Sequence, residues 1–198
     1  QDLELLGEDE EEKRRYRELN LKMRERATKR PKEKKIKKGD GPMIYITGDC
    51  HGEFEKFDID LFPDQKEMTK EDFMIICGDF GGIWDKEVSG GWETKMLDEL
   101  ESKPFTTLFV DGNHENFDVL NTYPLEEYKG GKVHRIRSRV FHLMRGEVFN
   151  IDGYKFFTMG GGFSHDVNYR TEHKNWWKDE ICTIEEAKHA FATLEKNN

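Results

Sequence analysis

Three polar clusters hold the residue types that could do chemistry in this chain. They are Gly48–Asp49–Cys50–His51–Gly52, Gly78–Asp79–Phe80–Gly81–Gly82 and Asp111–Gly112–Asn113–His114–Glu115. Asp and neutral His together suit borderline divalent ions such as manganese, zinc or iron. A carboxylate can bridge two ions, and two ions ~3.5–4 Å apart clamp both the attacking and the leaving oxygen of an in-line displacement at phosphorus. The clusters therefore point to metal-assisted phosphoryl hydrolysis. Any one of them alone would be weak evidence, because Asp and Asn after a strand most often form turns or caps. Turn formation does not explain three in order, each directly after an apolar run.

Those apolar runs must position the clusters. Met43–Thr47, Phe73–Cys77 and Phe105–Val110 are short, apolar and β-rich, which predicts buried strands. Trp92, Met96, Leu97 and Leu100 recur at helical spacing, which predicts a helix over 92–102 that ends before Pro104. Strand, crossover and strand in this rhythm imply a parallel α/β core. In such a sheet the carboxyl ends of neighbouring strands open onto one crevice. Phe117–Asn121 is expected to begin another helix. Past Gly130 the pattern turns to hairpins, with strands expected at Val133–Ile136, Val140–Leu143, Glu147–Ile151 and Tyr154–Met159. The Asp152–Gly153 turn joins the last two. Thr183 to Glu186 matches a capping box, and Ala187, Ala190, Phe191 and Leu194 form an apolar face behind it.

Charge divides the chain into an arm at 1–42 and a domain at 43–198. Residues 1–38 carry 14 basic and 10 acidic groups, and the remainder carries 18 and 31, a net −13 within a total of −9. A −13 domain is not drawn to a phosphate backbone by its mean field, so an anionic substrate must be held locally. In the arm, Tyr16, Leu19 and Met23 share one helical stripe, and residues 13–38 are strongly basic. A solvated arm is the preferred reading, and a nucleic-acid contact the sharper alternative, since no aromatics interleave with the lysines. No run reaches the ~18 apolar residues of a membrane span, and the first residues lack the basic-then-apolar order of a signal peptide. The three cysteines form no C-x-x-C pair, which suits reduced thiols in a cytoplasm. Gln1 is not a start methionine, so a fragment or a processed product is expected.

The blocks GDCHG, CGDFGG and DGNHE, in this order, resemble the calcineurin-like metallophosphoesterases over roughly residues 43–170. The resemblance implies a mixed β-sandwich flanked by helices, within the α/β class, whose C-terminal strands these 198 residues lack. It also implies that Asp49 and His51 bind one ion, that Asp79 bridges two, and that Asn113 binds the second. A hydroxide between the ions would be the nucleophile, and His114 would stabilise or protonate the leaving oxygen. The stretch HLMRGEVFNIDGYKFFTMGGGFSHD, followed by Arg170 and Trp176–Trp177, resembles a bacterial or phage-type branch. This places Ser164, Asp166 and Arg170 near the mouth of the site. Arg170 would pair either with a substrate phosphate or with Asp166 or Glu172. Trp176 and Trp177 are expected to pack rather than to form a substrate platform.

Two departures from the family pattern stand out. Gly82 and Ile83 occupy the places where protein serine/threonine phosphatases carry Asp and Arg, which argues against that branch. The later T-H-x-P and G-H-x-H stretches of the family do not occur in these 198 residues, so this stretch alone is expected to be poorly active. Two rivals to a phosphatase follow. One is a nucleic-acid phosphodiesterase that uses the basic arm, and the other is a non-catalytic binding protein with a degenerate metal site.

Overall fold

A computed structural model describes residues 41–85 and 91–197, together with Arg14, Glu18 and Lys22, which are helical and exposed. The stripe of Tyr16, Leu19 and Met23 and the lysine run at 32–38 lie outside the described residues. The three apolar runs form parallel strands β1 (Ile44–Gly48), β2 (Phe73–Cys77) and β3 (Thr106–Val110), with Ile46 beside Ile75 and Ile75 beside Leu108. The chain then builds β4 (Leu125–Tyr128), β5 (Gly131–Arg137) and β6 (Val140–Leu143). Strand β6 joins β3 in parallel, and β5 and β4 follow antiparallel, so the mixed sheet runs β1-β2-β3-β6-β5-β4. A separate hairpin pairs β7 (Val148–Ile151) with β8 (Tyr154–Phe157) around the expected Asp152–Gly153 turn.

Period-2 alternation along β2 and β3 builds two cores. Met74, Ile76 and Phe109 pack with Leu97 and Leu100 of helix α1 (Trp92–Ser102) on one face. Phe73, Ile75, Leu108 and Val110 pack with Phe149 and Ile151 of β7 on the other. After the short helix α2 (Phe117–Leu120), the long helix α3 (Ile184–Asn197) lays Ala187 and Ala190 against Phe157 and Met159 beyond the hairpin. The result is the expected mixed sheet sandwiched and flanked by helices. Helix α1 ends where Lys103 turns extended ahead of Pro104. Helix α3 starts on the expected capping box, with Glu186 N donating to Thr183 Oγ1 at 3.2 Å and Thr183 N to Glu186 Oε2 at 2.7 Å. Strand β4 has no counterpart among the expected strands. Its residues, LEEY, are mostly exposed at the sheet edge, where charge rather than apolar alternation suits an unpaired flank. Among the described residues, no helix is long and apolar enough to cross a membrane.

Two histidines sit inside this sheet. His134 and His142 are buried on β5 and β6, their Nδ1 atoms 3.1 Å apart. Burial, and then the neighbouring His142, lowers His134 to about 4. His134 is therefore neutral in the folded protein, whereas in the unfolded chain it takes up a proton below ~6.5. This contribution to stability is complete well above pH 6.5 and is lost as pH falls from 6.5 toward 4, to a limit of about 3 kcal/mol. Urea midpoints measured at pH 7.5 and pH 4.5 are expected to differ less for His134→Gln than for the natural chain.

Candidate metal centre

The loops that follow β1, β2 and β3 are joined through their backbones. Cys50 N and His51 N both donate to the carbonyl of Asp79, at 2.9 and 2.8 Å, and Gly52 N donates to Phe80 O at 2.9 Å. Gly78 N donates to Val110 O at the tip of β3. The Glu115 carboxylate closes the arrangement, accepting from Phe80 N at 2.6 Å and Gly81 N at 3.2 Å. Lys56 Nζ donates to the carbonyls of Gly48 and Asp49, at 3.0 and 2.9 Å, and so holds the end of β1. Two of these contacts require glycine. A Cβ on Gly81, at φ +65°, would overlap the backbone of His51, and one on Gly112 would overlap both the carboxylate and the backbone nitrogen of Asp79.

This packing gathers three donors. Ligand atoms of Asp49, His51 and Asp79 all lie within 4.8 Å of one another, and His51 Nε2 is 3.6 Å from Asp79 Oδ2. Oxygen and nitrogen atoms around one ion at ~2.1 Å stand roughly 3–4.2 Å apart, so this set fits a divalent cation with a small contraction. Both His51 and Asp79 hold positive φ, +50° and +37°, which non-glycine residues seldom adopt. Such a conformation is tolerated where surrounding contacts fix it, and here the bonds to the Asp79 carbonyl fix both residues.

Of the other expected residues, His114 meets this trio directly. His114 N donates to Asp79 Oδ1 at 3.0 Å, and the His114 ring lies edge-on to His51 with centroids 5.3 Å apart. Asn113 Nδ2 donates to Ser164 Oγ at 3.0 Å. Arg170 Nε donates to Asp166 Oδ1 at 2.7 Å, and Arg170 Nη1 donates to the Asn175 carbonyl at 2.9 Å. Arg170 is thus paired with Asp166, one of the two arrangements its sequence position allows. Trp176 and Trp177 are buried, and Trp177 Nε1 donates to Asp118.

The sequence profile of calcineurin-like phosphoesterases matches residues 42–194. The chain belongs to that family. The gathered Asp and His donors accord with the family's dependence on divalent metal. Among curated proteins, lariat debranching enzyme A of Xenopus laevis is 28% identical over 143 residues, covering 66% of this chain and 25% of that protein. Lariat debranching enzyme of Danio rerio is 26% identical over 136 residues, covering 62% and 23%. The chain spans about a quarter of the length of these relatives. No solved structure gives a significant match.

Within this phosphoesterase domain the sequence reading passed over the residues that support the clusters. Asp111, wholly buried, accepts from Arg145 Nε at 2.9 Å and Nη2 at 2.6 Å and lies 3.1 Å from His142 Nε2. Burial pushes its carboxyl up, but Arg145 and His142 outweigh burial and hold it at about 2. The Asp111 carbonyl also accepts from Gly161 N, which ties the third loop to the Gly160–Gly162 turn. Burial pushes Glu115 up to about 8, against the lowering by the N–H groups it accepts from. The one local signal was the position of Asp111 and Glu115 inside the DGNHE block. Nothing local marked Arg145 or Glu180.

Proposed function

We propose that Asp49, His51, Asp79 and Asn113 hold two divalent ions, manganese, iron or zinc, and that the site hydrolyses phosphodiesters, with branched RNA as the substrate class. The observation that carries this reading is the convergence of Asp49, His51 and Asp79 within 4.8 Å at the tips of β1 and β2. The names of the debranching relatives support the RNA substrate. When bound, such ions supply Lewis-acid charge at a phosphoryl oxygen and make water a usable nucleophile near neutral pH. The chain's own residues do the rest. His114, held by its main-chain bond to Asp79 and by its ring contact with His51, gives a ring proton to the leaving oxygen. The Arg170 guanidinium keeps Asp166 on Nε and the Asn175 carbonyl on Nη1, and its Nη2 takes a non-bridging phosphate oxygen, so the two pairings coexist. The net −13 of residues 39–198 opposes a polyanion, so affinity for RNA must come from these local charges and from the basic arm.

The test compares a 2′,5′-branched RNA oligonucleotide, bis(p-nitrophenyl) phosphate and p-nitrophenyl phosphate, each with manganese and then with chelator. The readout is the ratio between substrates. Branched RNA should lead and the monoester trail, with all manganese-dependent hydrolysis lost to chelator and restored by added metal. Removing residues 1–40 should weaken RNA binding and flatten its salt dependence. Preference for the monoester would rule out the diester assignment, and hydrolysis indifferent to chelator would rule out the metal centre.

A further inference from the structure

A chain of three hydrogen bonds leads from the interior to Asn113. Glu180 is fully buried and Ser164 is 2% exposed, and the two are buried against each other. Ser164 N donates to Glu180 Oε1 at 2.8 Å, and Ser164 Oγ donates to Glu180 Oε2 at 2.7 Å. A hydroxyl has a single proton. With that proton given to the carboxylate, Ser164 Oγ can only accept toward Asn113, and the group it accepts from is Asn113 Nδ2, at 3.0 Å. The amide of Asn113 is thereby committed: Nδ2 faces Ser164, and Oδ1 is the atom left for a cation. The turn that carries Ser164 is fixed to the same glutamate, since Gly162 N donates to the Glu180 carbonyl at 2.9 Å. None of these bonds touches Asp49, His51 or Asp79.

We infer that Glu180 and Ser164 are positioning residues that set the orientation of the Asn113 amide and so present its oxygen, rather than its nitrogen, to a metal ion. This rests on the reading of Asn113 as a ligand. The polarity of the chain makes the inference specific. In Glu180→Gln the new amide keeps one acceptor for Ser164 N and offers a donor to Ser164 Oγ. The hydroxyl proton then turns outward to Asn113, which must rotate its amide and present Nδ2 in place of Oδ1. Shape is conserved, and only the direction of the hydrogen bonds reverses.

The experiment is direct manganese titration of the full chain, with free ion counted by electron paramagnetic resonance. Ser164→Ala and Glu180→Gln are each expected to weaken manganese binding about 10–100-fold, the usual cost of losing an outer partner of a ligand. In an Asn113→Ala background, adding Ser164→Ala or Glu180→Gln should cause no further loss. A merely structural role would lower the melting temperature of the metal-free protein and weaken binding equally in both backgrounds. Equal losses in the two backgrounds, or unchanged affinity in both single variants, would overturn the inference. Should Ser164→Ala not fold, Glu180→Gln carries the same test alone. Asp79→Asn separates this inference from the reading beneath it. If the natural chain binds no manganese, or Asp79→Asn binds as well as the natural chain, the metal centre and the relay fall together. If Asp79→Asn loses manganese while both relay variants keep it, the relay alone fails.

Discussion

Asp79→Asn is expected to bring manganese-dependent hydrolysis down to the metal-free background and to weaken manganese binding by about a hundredfold or more. That loss exceeds the ~10–100-fold typical when a ligand loses only an outer partner. The substitution is nearly isosteric, and Asn is among the residues that best tolerate the left-handed backbone that Asp79 adopts at φ +37°. The carbonyl that accepts from Cys50 and His51 is main chain and stays in place. Asn Oδ1 can still accept from His114 N, as the carboxylate does at 3.0 Å. What disappears is one negative charge beside His51 and Asp49, at the one position read as shared by both ions. Thermal melting without metal should therefore change little, while metal titration and turnover change together. An Asp79→Asn protein that keeps both metal and turnover would leave the site with another organisation.

Arg145→Met is expected to destabilise the protein by about 3–5 kcal/mol, the range for removing one partner of a buried ion pair. In a domain of this size that lowers the melting temperature by roughly 10 °C. Asp111 keeps its place under the Gly160–Gly162 turn but loses its two guanidinium bonds, 2.9 and 2.6 Å, in a site with 1% side-chain exposure. Arg145 also faces Glu186 at 3.5 Å and the Phe117 ring at 5.3 Å, so its loss reaches α2 and α3 as well. Adding Asp111→Asn to Arg145→Met should recover part of the stability, because the uncompensated buried charge is then gone. Denaturant unfolding of the two single variants and the double variant reads this directly. An unstable double variant with no recovery would place the cost in packing rather than in charge.

The same residues show how far a linear reading reaches. Strands β2 and β6 and helix α1 were legible because apolar period and flanking Gly or Pro are local signals. The capping box at Thr183 was legible for the same reason, since both partners lie within three residues. Strand β4 was not, because LEEY becomes a strand only by pairing with β5 at an edge where side chains face water. The pairing of Arg170 with Asp166 rather than with another acceptor is a matter of tertiary position.

The sequence by itself determined that three glycine-containing clusters follow three apolar strands and that their residue types suit divalent metal and phosphate chemistry. It did not show that β1, expected to be buried, is an edge strand with Ile46 61% exposed. Parallel pairing obliges such strand tips to meet, so the general place of the site followed from the pattern alone. Only the tertiary structure decided what supports them. Ser164 is 51 positions from Asn113, and Arg145 is 34 positions from Asp111. Hydrogen-bond direction and buried-charge pairing depend on which distant groups share a volume shut off from water, and no local periodicity encodes that.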